Sequence, residues 1–443
     1  MKQIGLRYGR GRVEVGVPDW ADVLTCPHGA ALADPETAVR EALARPIGTA
    51  ALAELLGRKR PRSVAITVSD ITRPVPNQAF LPAVLETLNA AGVADRDIVI
   101  IIGTGMHRPS TPEERRTILG DAILSRIEVI DHDASDGASL VQMSDGSDIA
   151  PGHPPVSICR RFVEAEFRIV TGLIEHHFMA GFSGGRKGVC PALVDLRTIQ
   201  RFHGYQTLSD PRIGNGVLEG NPCHAIASAV ARRVGVDFLI NVAISGDRRM
   251  AGIYCGDMEA AHLTGCREVA KLTSVEVLPQ YDLVVTCGGG YPLDETFYQT
   301  VKGMCAALPA LAEGGTMVIA SGCGEGIGSK SYASIMARYA NDWRGFLRDI
   351  AQTQRTELDQ WQFQMQAQVL ARTGIERLVL VTDGIGAEDQ RHLCVEPARN
   401  CGDPRERLQG TIDGYLAAHP RTRVAVIPDG PYTALRKGAG SAG

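Results

Sequence analysis

One unit recurs along this chain and limits how it can fold: a short, unbroken apolar run that ends in a cluster of glycines. Ile98-Val99-Ile100-Ile101-Ile102 leads into Gly103-Thr104-Gly105-Met106-His107. Leu283-Val284-Val285-Thr286-Cys287 leads into Gly288-Gly289-Gly290, and Met317-Val318-Ile319-Ala320 into Ser321-Gly322-Cys323-Gly324. Apolar runs without polar alternation belong to strands buried on both faces, as in a parallel sheet covered by helices. Glycines at the strand ends let the main chain pass close to a ligand. Sheets of this kind bind ligands outside the carboxyl ends of their strands. Further strand-like runs at 64–68, 167–171, 378–382 and 424–427 alternate with helical patterns at 78–91, 221–234 and 346–372. The alternation predicts an α/β protein.

With 443 residues the chain has room for two large domains. The segment Lys271–Gln280 separates a helix-like stretch from a new strand–glycine unit. We therefore expect an N-terminal α/β domain over 1–272 and a C-terminal one over 273–443. Both should have mainly parallel sheets, with an active-site cleft between them. The tail from Arg436 to Gly443 is small and polar and is expected to be disordered.

Charge and cysteine usage exclude several classes. A net charge of −4 and the absence of a basic run argue against a nucleic-acid partner. No apolar run approaches the roughly 20 residues of a membrane span, and the N-terminus lacks the apolar core of a signal peptide. Eleven cysteines, none spaced as CxxC, read as reduced thiols of a cytoplasmic enzyme.

Three familiar signatures nearly match and fail. Gly103-Thr104-Gly105-Met106-His107-Arg108 places Arg where a dinucleotide fingerprint needs Gly. In Gly181-Phe182-Ser183-Gly184-Gly185-Arg186-Lys187-Gly188 the Lys is followed by Gly, so a P-loop's Mg²⁺-binding Ser/Thr is missing. Glu175-His176-His177 is not the HExxH of a helical zinc site.

What remains is four clusters at strand ends or adjoining loops. His176, His177 and His203 surround a glycine loop whose Arg186-Lys187 pair can offer main-chain N–H groups and positive charge to a phosphate. Lys187 is also a candidate nucleophile toward an activated acyl group if desolvation or Arg186 favours its neutral amine. The others are Ser69-Asp70-Ile71-Thr72-Arg73-Pro74, His107, and Tyr298-Gln299-Thr300-Val301-Lys302-Gly303. Taken singly, each has an ordinary reading as a surface turn, a solvated charge or a structural histidine. Their shared placement at strand ends, where one cleft could gather them, gives them weight.

The run Glu175-His176-His177-Phe178-Met179-Ala180-Gly181-Phe182-Ser183-Gly184-Gly185-Arg186-Lys187-Gly188 strongly resembles the nickel-pincer lactate racemase family. So do Ser69–Pro74, Gly103–His107 and Gly290-Tyr291-Pro292-Leu293-Asp294 with Phe297-Tyr298-Gln299 and Lys302-Gly303, in the family's motif order. The resemblance covers roughly residues 10–430. It implies a pyridinium-3,5-bisthiocarboxylic acid mononucleotide that holds nickel through sulfur, carbon and sulfur, with a protein His completing the plane. Sulfur plus imidazole in a square plane suits Ni(II). By motif position, Lys187 matches the lysine that tethers this cofactor and His203 the nickel ligand. His107 and His177 match two catalytic bases, and Arg73 and Lys302 the residues that handle the substrate carboxylate. Asp70, Tyr298 and Gln299 match active-site and cofactor contacts, with Trp361 as a further cofactor neighbour.

The implied activity is racemisation or epimerisation of a 2-hydroxy acid, lactate or a related short-chain acid, through a 2-keto acid. The cofactor would come from separate biosynthetic enzymes. A non-catalytic carrier of the nickel nucleotide would need Lys187 and His203 but neither His107 nor Arg73. A divalent-metal hydrolase would need a carboxylate-rich ligand set, for which Asp70 alone is thin support.

Overall fold

Each buried strand sends alternate side chains into two different cores, which is why its sequence shows no polar alternation. Along Ile98–Gly103, the side chains of Ile98, Ile100 and Ile102 enter one apolar cluster, while Val99 and Ile101 enter another on the opposite face. The strand Tyr281–Cys287 behaves alike, with Leu283, Val285 and Cys287 on one side and Val284 on the other. Fully burying an aliphatic side chain of this size is worth roughly 1.5–3 kcal/mol.

The computed structural model describes residues 1–26, 29–278, 280–353, 355–398 and 402–437. Two six-stranded sheets organise them. In the first, the order is Met250–Gly256, Phe238–Ile244, Phe167–Leu173, Val64–Ser69, Ile98–Gly103, Glu128–Asp131, parallel throughout except for the antiparallel edge strand Met250–Gly256. The second is all parallel: Glu396–Pro397, Leu378–Val381, Leu311–Ala320, Tyr281–Cys287, Val424–Val426, Asp22–Val23. The fold is thus α/β with mainly parallel sheets. One continuous apolar cluster holds Val99 and Ile101 of the first sheet together with Val284, Met317 and Ile319 of the second.

Three expectations are corrected. The chain's beginning joins the second sheet, not the first. The hairpin Lys2–Tyr8 and Gly11–Val17 packs Leu6, Val13, Val15 and Val17 against Leu283, Val285 and Val318, and Asp22–Val23 pairs with Val424–Val426. The division at 272/273 therefore assigns these residues to the half on which they do not pack. The helical pattern at 346–372 is two helices, Trp343–Gln352 and Gln360–Thr373, with Asp359 in the left-handed region (φ 66°) at the start of the second. Arg436 and Lys437 are not part of a loose tail; they pair with Glu276 and Val277 in a two-stranded parallel sheet. Residues 438–443 lie outside the described residues.

Candidate active site

The candidate residues sit where the strands and loops of the two halves meet, and capping explains several placements. Asp195 accepts hydrogen bonds from the N–H groups of Arg197 (2.9 Å) and Thr198 (3.1 Å), starting the helix Leu196–Phe202. That helix ends at His203, so one cap fixes where the imidazole falls. Thr296 caps the helix Phe297–Ala307, which places Tyr298 and Lys302 four residues apart on one face. A Cβ on Gly303 would come 2.3 Å from the Cys287 carbonyl oxygen, so only glycine lets this helix lie so near the strand end.

His177 lies in the short strand His176–His177, paired antiparallel with Ala180–Phe182. Gly181 makes the return with φ 76°, and a Cβ there would strike the Val217 carbonyl oxygen at 2.2 Å. His176 faces away from its neighbour, as an extended segment requires. Its ring lies tilted against that of Phe182, centroids 4.6 Å apart, and its Nε2 lies 3.0 Å from the Thr273 hydroxyl.

The two histidines expected to act as bases have different surroundings. His107 is largely exposed, and its Nδ1 sits 2.5 Å from Asp70 Oδ2. Thr72 donates to the other oxygen of Asp70, Oγ1 to Oδ1 at 2.5 Å. Burial works against the Asp70 carboxylate, but the bonds and charges of His107, Thr72 and Arg73 outweigh it and lower its pKa. His177 is buried, and its Nδ1 accepts from the main-chain N–H groups of Met179 and Ala180, both at 3.2 Å. Burial, then the positive charges of Lys187, Arg73 and Lys302, hold its pKa far below the usual imidazole value.

Among the described residues, no hydrogen bond or ion pair engages the Lys187 amine. Burial, with Arg73 and Arg186 nearby, drives its pKa well down toward a neutral amine. Arg186 itself is not directed at a ligand. It is 1% exposed and bonds the carbonyls of Gly184 (3.3 Å) and Ala180 (2.7 Å) and lies 2.9 Å from His262 Nε2. The loop's amides are also partly spent within the protein, since Gly185 N–H donates to Asn241 Oδ1 at 2.8 Å. The glycine run therefore packs the loop onto its sheet, and the Arg-Lys pair does not present two charges side by side.

His203 offers its Nδ1–H to the Ile199 carbonyl at 3.1 Å, which leaves Nε2 as a lone-pair donor. Burial and Lys187 push its pKa down to about 3, so the neutral ring is the stable form near pH 7. Its ring lies 4.9 Å from that of Trp361, whose Nε1–H donates to the Tyr298 hydroxyl at 3.0 Å. Gln299 carries a buried side-chain oxygen with no partner. Arg73 lies 3.5 Å from Glu175, and Lys302 has its pKa lowered to about 8 by burial and Arg73. The motifs assign Glu175 no role; its place beside Arg73 arises only in the folded chain.

These features fit the nickel nucleotide implied by the sequence. Such a cofactor brings three metal donors of its own and asks the chain for one imidazole, and His203 Nε2 is free to serve. A ligating His whose other N–H is held by a carbonyl is the usual arrangement. The Lys187 amine, which lies 6.0 Å from the Phe202 ring centre and makes no hydrogen bond among the described residues, and the unpaired Gln299 oxygen are consistent with a bound polar group. Among the described residues, no cluster of three His, Cys, Asp or Glu side chains exists to hold a metal with protein groups alone, as a hydrolase would need.

Comparison with known proteins identifies the class. Residues 8–216 match the lactate racemase N-terminal domain and 277–432 the lactate racemase C-terminal domain. The chain is 30% identical over 444 residues to lactate racemase of Thermoanaerobacterium thermosaccharolyticum, covering 99% of this chain and 100% of that one. It is 34% identical over 401 residues to lactate racemase of Lactiplantibacillus plantarum, covering 90% of each. The lactate racemase apoprotein structure from T. thermosaccharolyticum superposes with a TM-score of 0.87 at 29% identity, covering 98% of this chain and 100% of that one. A Thermotoga maritima protein at 17% identity and TM-score 0.59 shares the fold. Fold, site and matches together define a two-sheet α/β isomerase that acts on a small molecule. The chain belongs to the lactate racemase family.

Proposed function

We propose that the protein racemises or epimerises a short-chain 2-hydroxy acid, lactate or a close relative, using a nickel-pincer nucleotide. One arrangement carries this reading: the imidazoles of His107 and His177, from separate strand ends, lie with the free Nε2 of His203 around a half-buried Lys187 amine that makes no hydrogen bond among the described residues. When bound, the nucleotide supplies an acceptor for the C2 hydrogen and its electron pair. Lys187 holds the cofactor, His203 ligates its nickel, and Tyr298, Gln299 and Trp361 wall it.

The chain's own residues do the rest. Arg73 and Lys302 seat the substrate carboxylate; a charge-assisted hydrogen bond of this kind is worth roughly 1.5–3 kcal/mol. With Asp70 holding the Nδ1–H, His107 presents Nε2 as the acceptor for the hydroxyl proton while C2 becomes a planar 2-keto carbon. His177, its Nδ1 occupied by two amides, presents Nε2–H on its own side. A planar acid that turns between the two receives its hydrogen on the opposite face, and its oxygen regains the proton that His107 took. The His177 Nε2–H is hydrogen-bonded to that oxygen and not transferred, so protons balance and no imidazolate forms.

Among the described residues the cysteines are unpaired, which supports a reducing, cytoplasmic setting, and the cofactor would come from other enzymes. Among the described residues, no helix is long and apolar enough to cross a membrane. Holoprotein incubated with each pure enantiomer of lactate should yield the other, read by chiral chromatography. His177→Ala should reduce the rate by at least about a hundredfold; normal turnover in that variant removes His177 from the chemistry.

A further inference from the structure

Glu175 is a carboxylate placed among the cations of the site. Its Oε1 is 3.5 Å from Arg73 Nη1, and its charge also reaches Lys302 and Lys187, raising both amines against the burial that lowers them. The main chain on either side is pinned. Glu175 N–H donates to Ser183 Oγ at 3.1 Å, Ser183 N–H donates to the Glu175 carbonyl at 2.9 Å, and Ser183 Oγ lies 3.3 Å from that carbonyl. The side chain is thereby held at the end of the strand Phe167–Leu173, next to the His176–His177 pair, and is only half exposed.

The charges can be followed group by group. Asp70 is bonded to His107 and Thr72 and keeps its own negative charge, which also acts on Arg73. The cations available to an arriving acid are Arg73 and Lys302, and Glu175 offsets one of them. With Asp70 counted, two carboxylates stand against two cations, so the site holds no surplus of positive charge to draw in a second carboxylate. A second carboxylate on the substrate would approach Glu175, a like-charge contact of the kind that rejects a partner rather than attracting one.

We propose that Glu175 is a specificity-determining residue that restricts the site to monocarboxylic 2-hydroxy acids and rejects dicarboxylic ones. This rests on the reading that Arg73 seats the substrate carboxylate. It goes further by assigning the substrate's charge class to a residue that takes no part in hydrogen or proton transfer.

The test is binding of lactate and of malate to the full chain by titration calorimetry, at low and high salt, with Glu175→Gln and Glu175→Asp beside the parent. Because the bonds to Ser183 are main-chain bonds, neither substitution removes them. The parent should bind lactate at least about tenfold more tightly than malate at low salt. Glu175→Gln should shrink that ratio by roughly tenfold, mainly by tightening malate, and added salt should reduce the difference. Glu175→Asp keeps the charge and should keep most of the preference. A parent that binds malate as well as lactate overturns the proposal. So does a Glu175→Gln variant that weakens both acids equally, because Glu175 would then only steady Arg73. If none of the three proteins binds either acid, the carboxylate seat at Arg73 fails along with this proposal, whereas loss of the preference alone leaves the seat standing.

Discussion

His107 and His177 differ in what their second ring nitrogen meets, and that difference sets how each can handle a proton. Asp70 is ionised and faces His107 Nδ1, so that nitrogen carries the hydrogen and Nε2 keeps its lone pair. His177 Nδ1 receives two main-chain N–H groups, so its neutral ring carries the hydrogen on Nε2. Replacing Asp70 with Asn removes the charge that fixes the His107 tautomer, and turnover should fall roughly 10²- to 10⁴-fold while folding is retained. Nitrogen-15 spectra of the imidazoles should show the two rings in opposite tautomers in the parent and a changed His107 in the variant.

Lys302 gives a pH dependence at the same scale. Burial and Arg73 bring its pKa down to about 8, so its ammonium form is lost as pH rises through that value. The carboxylate seat then loses a charge, and KM for a 2-hydroxy acid should rise above about pH 8. In Lys302→Met the KM should be higher throughout and this rise should disappear. Steady-state kinetics across pH 6–10 tests both.

At the scale of elements, the helix Leu196–Phe202 links a cap to His203, the proposed nickel ligand. Asp195 bonds two N–H groups of its first turn, the Thr198 hydroxyl and the Ser157 amide, and His203 closes its last turn. Asp195→Ala should cost about 1–2 kcal/mol of stability, measured by denaturant unfolding. It should also weaken nickel retention, measured by metal analysis after dialysis, because the helix that aims His203 loses its anchor. The sequence exposes such elements unevenly. The strands at 64–69, 98–103, 167–173 and 281–287 are legible because burial on both faces leaves a continuous apolar run. The break between Gln352 and Gln360 is not, because the apolar spacing continues on either side and the turn depends on Asp359 adopting φ 66°, which composition does not signal. The role of Arg186 is illegible for a similar reason: its partners, the carbonyls of Ala180 and Gly184 and the His262 ring, meet it only in the fold.

For the whole molecule, one apolar core spanning both sheets joins the halves that carry the site. Thr356 Oγ1 bonding the Gln200 carbonyl (2.8 Å) and the His203–Trp361 ring pair tie the C-terminal half to the helix that ends at His203. The α/β class could be read from the strand–glycine units, and the site residues from four motifs that share strand ends. That Asp22–Val23 completes the distant second sheet could not be read so, because its partner Val424–Val426 lies some four hundred residues away and only the folded topology brings the two together. Glu175 was hidden differently, since a carboxylate beside an Arg in a folded cleft looks in sequence like any polar loop residue.

The central claim is that the C2 hydrogen leaves with its electron pair and returns to the opposite face of the same carbon. The most direct test is to follow lactate deuterated at C2 through racemisation by the holoprotein in ordinary water, reading isotope and chirality together by NMR and chiral chromatography. The account predicts that inverted product keeps its deuterium. Inverted product carrying hydrogen from the solvent would contradict it.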